Sequence, residues 1–378
     1  MKRKDVTNLK VRKDSIVTLL LLLNIFELYC FNDMVLKVFK IFSLGVATVY
    51  LCKYNKITYD SLKKGKFIFF YIVAIMISSY FNYGLTVKFG TALVQCYFIG
   101  TLFFLIYSRY NCLNQFFKET FCFLIFICVL NDCFIILHIN FLDYYLLGNK
   151  FNVAYAHMMI IYLYFENYYK QHKRMIGILL TLWAIVIAIL TDTSTGVIGI
   201  CLLFALCSLP EHIQIKLSKP LIPIILLVIS DTILLGSSSI LENEYVRNFI
   251  SNILNRSLDL TGRIPIYKIL YQLFIHSPIF GYGYSNDIFS KTIGYGNAQN
   301  GFLEIVINFG VLGAIAFSLF LVSSLININK NTWPTLAIIY TFIVLSSVEI
   351  TFGNIFILLL VILITANCQD NNKGITMK

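Results

Sequence analysis

Apolar residues run along this chain in long blocks, and each block gives way to a short polar connector. A bilayer span takes about 20 such residues, with a range of about 17–25. On that measure about twelve blocks qualify, over 15–31, 34–52, 66–82, 86–107, 119–140, 152–169, 175–191, 194–209, 220–236, 300–325, 333–350 and 352–366. One polar stretch is far longer than the rest, from about Ser237 to Asn300. The pattern predicts an all-α polytopic membrane protein of about twelve transmembrane helices, with one long extracytoplasmic loop between the ninth and tenth. The expected layout is a cytoplasmic N-terminus over 1–14, helices one to nine within 15–236, the loop over 237–299, helices ten to twelve within 300–366, and a cytoplasmic C-terminus over 367–378. Within the loop, Asn248 to Arg256 and Ile264 to His276 have helical spacing, and Ser277-Pro278 stops the second stretch. Thr191-Asp192-Thr193-Ser194 reads as a tight hairpin between the seventh and eighth spans.

The connectors orient this bundle. Lys2, Arg3, Lys4, Lys10, Arg12 and Lys13 precede the first block, and Lys53, Lys56, Lys63, Lys64 and Lys66 follow the second. Arg109 and Lys118 follow the fourth, Lys170, Lys173 and Arg174 the sixth, Lys216 and Lys219 the eighth, and Lys330 the tenth. Lys373 and Lys378 follow the last, whereas the odd-numbered short connectors hold little beyond Lys88 and Lys150. Basic residues mark cytoplasmic connectors, so both termini are expected inside and the long loop outside. The basic N-terminal flank lacks a small-residue cleavage site after Leu28-Tyr29-Cys30, so a retained first helix is expected.

Composition agrees with this reading. The 378 residues are 58% hydrophobic and 13% charged, against about 25% charged in a soluble domain. The net charge of +11 comes from the connectors, so it gives no ground for a nucleic-acid partner. The 10 cysteines form no CxxC pair and lie mostly within apolar blocks, so neither a disulfide framework nor a metal site is indicated, and no cofactor is expected.

Polar groups inside the blocks carry the functional signal, since a charge at mid-bilayer costs about 2.5–3.5 kcal/mol. Glu27, Asp132, Asp231, Glu304 and Glu349 all fall on the outer side of the expected topology, with His138, His157 and Asp192 nearby, and only Glu166 lies towards the cytoplasm. One-sided clustering points to an outward polar cavity; snorkelling to the interface is the alternative for any single residue. Asn300, Glu304 and Asn308 recur every four residues and form one stripe, which must face protein or water rather than lipid. A carboxyl there suits a general base or proton carrier, or else a hydrogen-bonded helix seam. Arg247, Arg256 and Arg263 lie in the loop above. Arginine is the side chain for bidentate phosphate contact, and Thr261-Gly262 before Arg263 with Ile264-Pro265 after it fixes a turn. Thr292-Ile293-Gly294-Tyr295-Gly296 resembles a potassium-channel filter, but it occurs once and without the pore helix and short re-entrant loop a filter needs.

An ordered set of motifs resembles the O-antigen ligase and polysaccharide polymerase family. It comprises Thr261-Gly262-Arg263, Ile266-Tyr267, Ser277-Pro278-Ile279-Phe280-Gly281-Tyr282-Gly283, Ala298-Gln299-Asn300-Gly301-Phe302-Leu303-Glu304 and Asn308-Phe309-Gly310-Val311-Leu312-Gly313. Gly148-Asn149-Lys150-Phe151 and the hairpin Thr195-Gly196 also fit. Two positions depart: many members have His at Gln299 and Arg at Ser194. Losing both favours a polymerase over a ligase. The resemblance implies a glycosyltransferase of the bacterial cytoplasmic membrane that joins undecaprenyl-diphosphate-linked oligosaccharide repeat units, with inversion, into capsular, O-antigen or exopolysaccharide chains. It implies membrane lipid and, as a candidate further partner, a chain-length regulator protein. A ligase acting on another acceptor and a lipid-linked sugar flippase are the rival readings. The residues expected to act are Glu304, His157 and Asp192 as candidate bases, with Arg263, Arg247, Lys150, Gln299 and Asn300 holding substrate.

Overall fold

The computed structural model of the protein describes residues 2–54, 56–141, 144–168, 174–235, 263–326 and 332–375. Their helices are α1 (Lys2–Ile25), α2 (Asp33–Lys53), α3 (Tyr59–Lys64), α4 (Lys66–Tyr83), α5 (Val87–Tyr107), α6 (Leu113–Ile136), α7 (Lys150–Tyr168), α8 (Arg174–Leu190), α9 (Ser194–Cys207), α10 (Glu211–Leu217) and α11 (Ile222–Leu235). They continue with α12 (Arg263–His276), α13 (Ile288–Ile293), α14 (Gly301–Ser324), α15 (Trp333–Ser346) and α16 (Asn354–Ile375). Among the described residues there is no strand; two isolated bridges, Phe141 with Tyr144 and Tyr145 with Gly148, tighten the turn before α7.

A helix lies over each of the apolar blocks read from the sequence. Met34–Lys53, Lys66–Tyr83, Val87–Tyr107, Leu113–Ile136 and Gly301–Ser324 are long and apolar enough to cross a bilayer on their own. Ser194–Cys207 and Glu211–Leu217 pass together, although the chain bends by 112° between them. Asp14–Ile25, Met175–Leu190, Ile222–Thr232, Trp333–Ser346 and Asn354–Asn367 are shorter apolar helices. The chain is an all-helical polytopic membrane protein.

Local chemistry explains where the helices depart from the blocks. The first block continues to residue 31, but α1 stops at Ile25, and α2 starts separately at Asp33, where Asn32 caps it by accepting the amide of Val35. The second block keeps its helix despite two lysines. The Lys40 ammonium reaches Gln95 Oε1 on α5 at 3.2 Å and lies over the Phe98 ring, so its charge is not left against lipid.

At the centre, α15 is buried along most of its length and α16 over residues 356–365, with Trp333, Phe342 and Phe356 closed off from solvent. A helix apolar on all sides belongs in such a position. The α7 and α9 helices approach closely because α9 carries glycines: a Cβ on Gly196 would stand 2.8 Å from Ala154 Cβ. Tyr71 on α4 meets Phe309, Phe317 and Phe320 of α14, which locks those two helices together.

Polar contacts collect at the two ends of the bundle. At one end Arg109 donates to Thr18 Oγ1 at 2.8 Å and to Glu119 Oε2 at 2.9 Å, and Ser15 donates to the same carboxylate. The opposite end holds the junctions α1–α2, α4–α5, α6–α7, α8–α9 and α15–α16, and the starts of α13 and α14 are tied to two of them through Asp287–Lys88 and Asn300–Ser347.

Candidate functional site

The site is built on a crossing of two backbones. Inside α14, Gly310 leaves helical geometry at φ 64° and ψ −166°. That break frees two carbonyls and two amides, and the α12–α13 connector satisfies all four. Tyr282 N donates to Ile307 O at 3.0 Å and Gly283 N to Asn308 O at 2.7 Å. In return, Val311 N donates to Pro278 O at 2.8 Å and Leu312 N to Ile279 O at 3.3 Å. Irregular backbone survives at membrane depth only when protein satisfies it in this way. The approach requires glycine on both sides: a Cβ on Gly310 would stand 2.2 Å from Ile279 O, and one on Gly281, 2.4 Å from Ile307 O.

The end of α4 clamps this crossing. Ser78 donates to the carbonyls of Phe280 and Asn308, and Asn82 donates to Gly281 O at 3.0 Å. Ser79 Oγ accepts the amide of Tyr284 at 3.0 Å. Lys88 at the start of α5 holds Asp287 at 2.7 Å. Its hydrogen bond and charge keep the Asp287 carboxyl below the usual carboxylate range.

The stripe Asn300, Glu304 and Asn308 faces protein throughout. Asn300 caps α14 by accepting Leu303 N at 2.8 Å. Its amide donates to Asp231 Oδ1 on α11 at 3.0 Å and to Ser347 O at 3.2 Å. Glu304 accepts the amide of Ala298 at 2.7 Å and Nδ2 of Asn308 at 3.1 Å. Asn308 Oδ1 in turn accepts Nδ2 of Asn286 at 2.7 Å. Gln299 sits between two anchored neighbours at φ 52°, a left-handed conformation that a non-glycine residue holds only when its surroundings impose it.

A second group lies at the α8–α9 hairpin. Lys150 Nζ donates to Asp192 O at 3.0 Å, and Thr191 and Thr193 are joined through their hydroxyls at 3.0 Å. Asp192 is itself left-handed, at φ 50°. About two helical turns along α7 from Lys150, His157 is 1% exposed. Its Nδ1 donates to Val153 O at 2.8 Å, its Nε2 meets Asp132 Oδ2 at 3.1 Å, and its ring lies against Trp183. A carbonyl can only accept, so Nδ1 carries a proton.

The structure therefore brings Gln299, Asn300 and Glu304 into one cluster, and Lys150 with Asp192 into another. His157 shares no hydrogen-bond partner with Glu304. Arg263 opens α12, whose Ile266, Leu270 and Leu273 pack with Ala298 and Ile307 beside the stripe; only its backbone belongs to the described part. Arg247, Arg256, the helical stretch from Asn248 to Arg256 and the rest of the long loop up to residue 262 lie outside the described residues. Among the described residues, no three His, Cys, Asp or Glu side chains gather as metal ligands.

Sequence reasoning missed Asn286, Ser78, Ser79 and Asn82 as parts of the site. Asp231 stood out as a charge in an apolar block, but its partner is 69 residues away. The clamp on α4 had a visible trace, three polar residues within five positions at one end of an otherwise apolar helix.

No curated protein and no solved structure matches the chain. Residues 179–318 match the family model described as O-antigen ligase. That stretch runs from α8 through the hairpin, the long loop, the backbone crossing and the Asn300–Glu304–Asn308 stripe, and this is the family that the ordered motifs resemble.

Proposed function

We propose that this protein joins lipid-linked oligosaccharide repeat units into a polysaccharide chain at the outer face of the bacterial cytoplasmic membrane. The observation that carries the reading is the family match over the segment in which Glu304, Asn300 and the Gly281–Gly310 crossing form one rigid unit beside α12. The absence of His at Gln299 and of Arg at Ser194 favours a polymerase. The ligase reading keeps support from the description of the matched family, and the two differ in acceptor alone.

The donor is an oligosaccharide on undecaprenyl diphosphate and the acceptor is a second such unit. An acceptor hydroxyl attacks the anomeric carbon from the face opposite the leaving group, a C–O bond forms, and the bond to the diphosphate oxygen breaks with inversion. The diphosphate takes the electron pair and needs cations rather than a general acid. Arg263, Arg247 and Lys150 are the cations assigned to it. The hydroxyl proton goes to a carboxylate, and Glu304 is the first candidate. Its two oxygens offer about four acceptor positions, of which Ala298 N and Asn308 Nδ2 occupy two. Asp192, exposed at the hairpin, is the second candidate. His157, enclosed and paired with Asp132, is the third.

The test is a deletion strain examined for surface polysaccharide. Single-repeat product in place of ladders is expected, with ladders restored by the wild-type gene. Unchanged ladders in the deletion strain would refute the reading, and loss of a finished glycan from its acceptor with free polymer retained would select the ligase.

A further inference from the structure

Behind the α15–α16 turn lies a half-enclosed cavity of about 200 Å3, lined by the end of α1, the start of α7 and the first residues of α16. We propose that this cavity seats one sugar ring of the acceptor and grips its hydroxyls through Glu27, Tyr155, Asn152 and Asn354. The assignment deepens the transfer reading above and rests on it.

Tyr155 is the first observation. It is 6% exposed, and its hydroxyl is fully enclosed without a hydrogen-bond partner among the described residues. A buried hydroxyl in that condition is costly unless a ligand completes it. Tyr155 lines the cavity, so a ligand seated against it, with a small shift of the side chain towards the cavity, can supply the missing bond.

The lining selects the ligand class. Glu27 brings a carboxylate, Asn152 and Asn354 bring amides, Thr351 brings a hydroxyl, and Phe26 adds an aromatic wall. No Lys, Arg or His is among the described lining residues, so the cavity does not suit a diphosphate. A sugar hydroxyl both donates and accepts, which matches a mixture of carboxylate, amide and hydroxyl groups. Ligand pockets for drug-sized molecules run from about 300 Å3 upward, so this smaller cavity suits one ring rather than a chain.

The groups are held in place. Gln95 Nε2 donates to Asn354 Oδ1 at 2.7 Å, which leaves the donor side of that amide to offer. Lys40 fixes Gln95 from the other end at 3.2 Å. Thr351 Oγ1 donates to Phe342 O at 2.7 Å and so presents acceptor lone pairs. Gly148, at φ 97°, makes room for Asn152: a Cβ there would stand 2.8 Å from Asn152 Nδ2 and 2.8 Å from the Tyr29 ring.

Position ties the cavity to the site. The α15–α16 turn has Asn300 bonded to Ser347 O and Gly301 packed on Phe352, while Ile350, Thr351 and Gly353 of the same turn line the cavity. One short turn thus separates the proposed sugar seat from Asn300, the cap of α14, four residues before Glu304.

The test uses the full-length protein in lipid vesicles with lipid-linked repeat units as donor. The acceptor probe is the repeat-unit glycan on a simple alkyl group, which can accept but cannot donate. Tyr155→Phe removes one oxygen and should leave folding intact, as a thermal midpoint verifies. Tyr155→Phe and Glu27→Gln are each expected to raise the half-saturating acceptor concentration about tenfold, with the dependence on donor unchanged. Unchanged acceptor dependence in both variants overturns the proposal, as does a shift confined to the donor. Direct titration of the alkyl glycan onto wild type and Tyr155→Phe separates the two readings. Binding weakened by the variant, with no transfer by wild type, supports the seat and refutes the transfer reading. Transfer by wild type with equal binding in both supports transfer and refutes the seat.

Discussion

Asn300 does three jobs with one side chain: its oxygen caps α14, and its amide ties that cap to α11 and to the α15–α16 turn. Replacing it with alanine removes a cap worth about 0.5–2 kcal/mol and leaves Asp231 short of a partner. Asn300→Ala is expected to destabilise the protein by about 2 kcal/mol, read as a lowered thermal midpoint in detergent. Asn300→Asp keeps the capping oxygen but sets a second carboxylate against Asp231, and should be worse at neutral pH than at pH 4. At Lys88–Asp287 the sign of the pH effect follows from the depressed Asp287 carboxyl. The contribution is present above the ordinary carboxylate range and is lost as pH falls through the folded value. Protection against amide exchange over residues 284–293, corrected for the intrinsic slowing of exchange in acid, should therefore fall as pH is lowered, and Lys88→Ala should already show the reduced protection at pH 7. The sequence exposed Asn300, Glu304 and Asp231 as polar residues in apolar surroundings, but no spacing rule could pair Asn300 with a residue across a long loop.

Among the elements, α14 and the α12–α13 connector form one construction. Gly281 and Gly310 each face a carbonyl oxygen of the other segment closer than any side chain permits. Gly281→Ala and Gly310→Ala are expected to abolish the folded protein, read as loss of the monodisperse peak in size-exclusion chromatography. Gly294 provides the control. It is also left-handed, at φ 74°, but a Cβ there meets nothing within 4 Å. Gly294→Ala should cost about 1–2 kcal/mol and still fold. The same residue disposes of the channel-like Gly-Tyr-Gly: it ends the short helix α13 in a left-handed cap. The glycine-rich motifs were legible in the sequence as a family signature. Their reason was not, because contact between two backbones has no periodicity along the chain. Each apolar block, by contrast, carries a helix among the described residues, and five of those helices are long and apolar enough to cross a bilayer on their own, since length and apolar composition are legible without knowing any partner.

For the molecule as a whole, the bundle keeps its buried Arg109–Glu119 pair at one end and the Asn300, Lys150 and Glu27 groups at the other. The distribution of connector lysines is the ground for expecting the first end in the cytoplasm. Two native thiols test this, because Cys30 is exposed at the Glu27 end and Cys112 at the Arg109 end. In variants retaining one cysteine each, a membrane-impermeant maleimide should label Cys30 in cells with the outer face accessible, and Cys112 only after permeabilisation. The reverse pattern would invert the protein and place the proposed site on the wrong side for a lipid-linked donor.

The central claim is that this end of the bundle transfers glycan between lipid carriers, with Arg263 on the diphosphate and Glu304 on the acceptor proton. Purified protein in vesicles, supplied with lipid-linked repeat units from a deletion strain, tests it most directly. Wild type is expected to yield a ladder of products together with free undecaprenyl diphosphate, while folded Arg263→Ala and Glu304→Gln stop at one repeat. Single repeats left unchanged by wild type, or the same ladder from both variants, would contradict it.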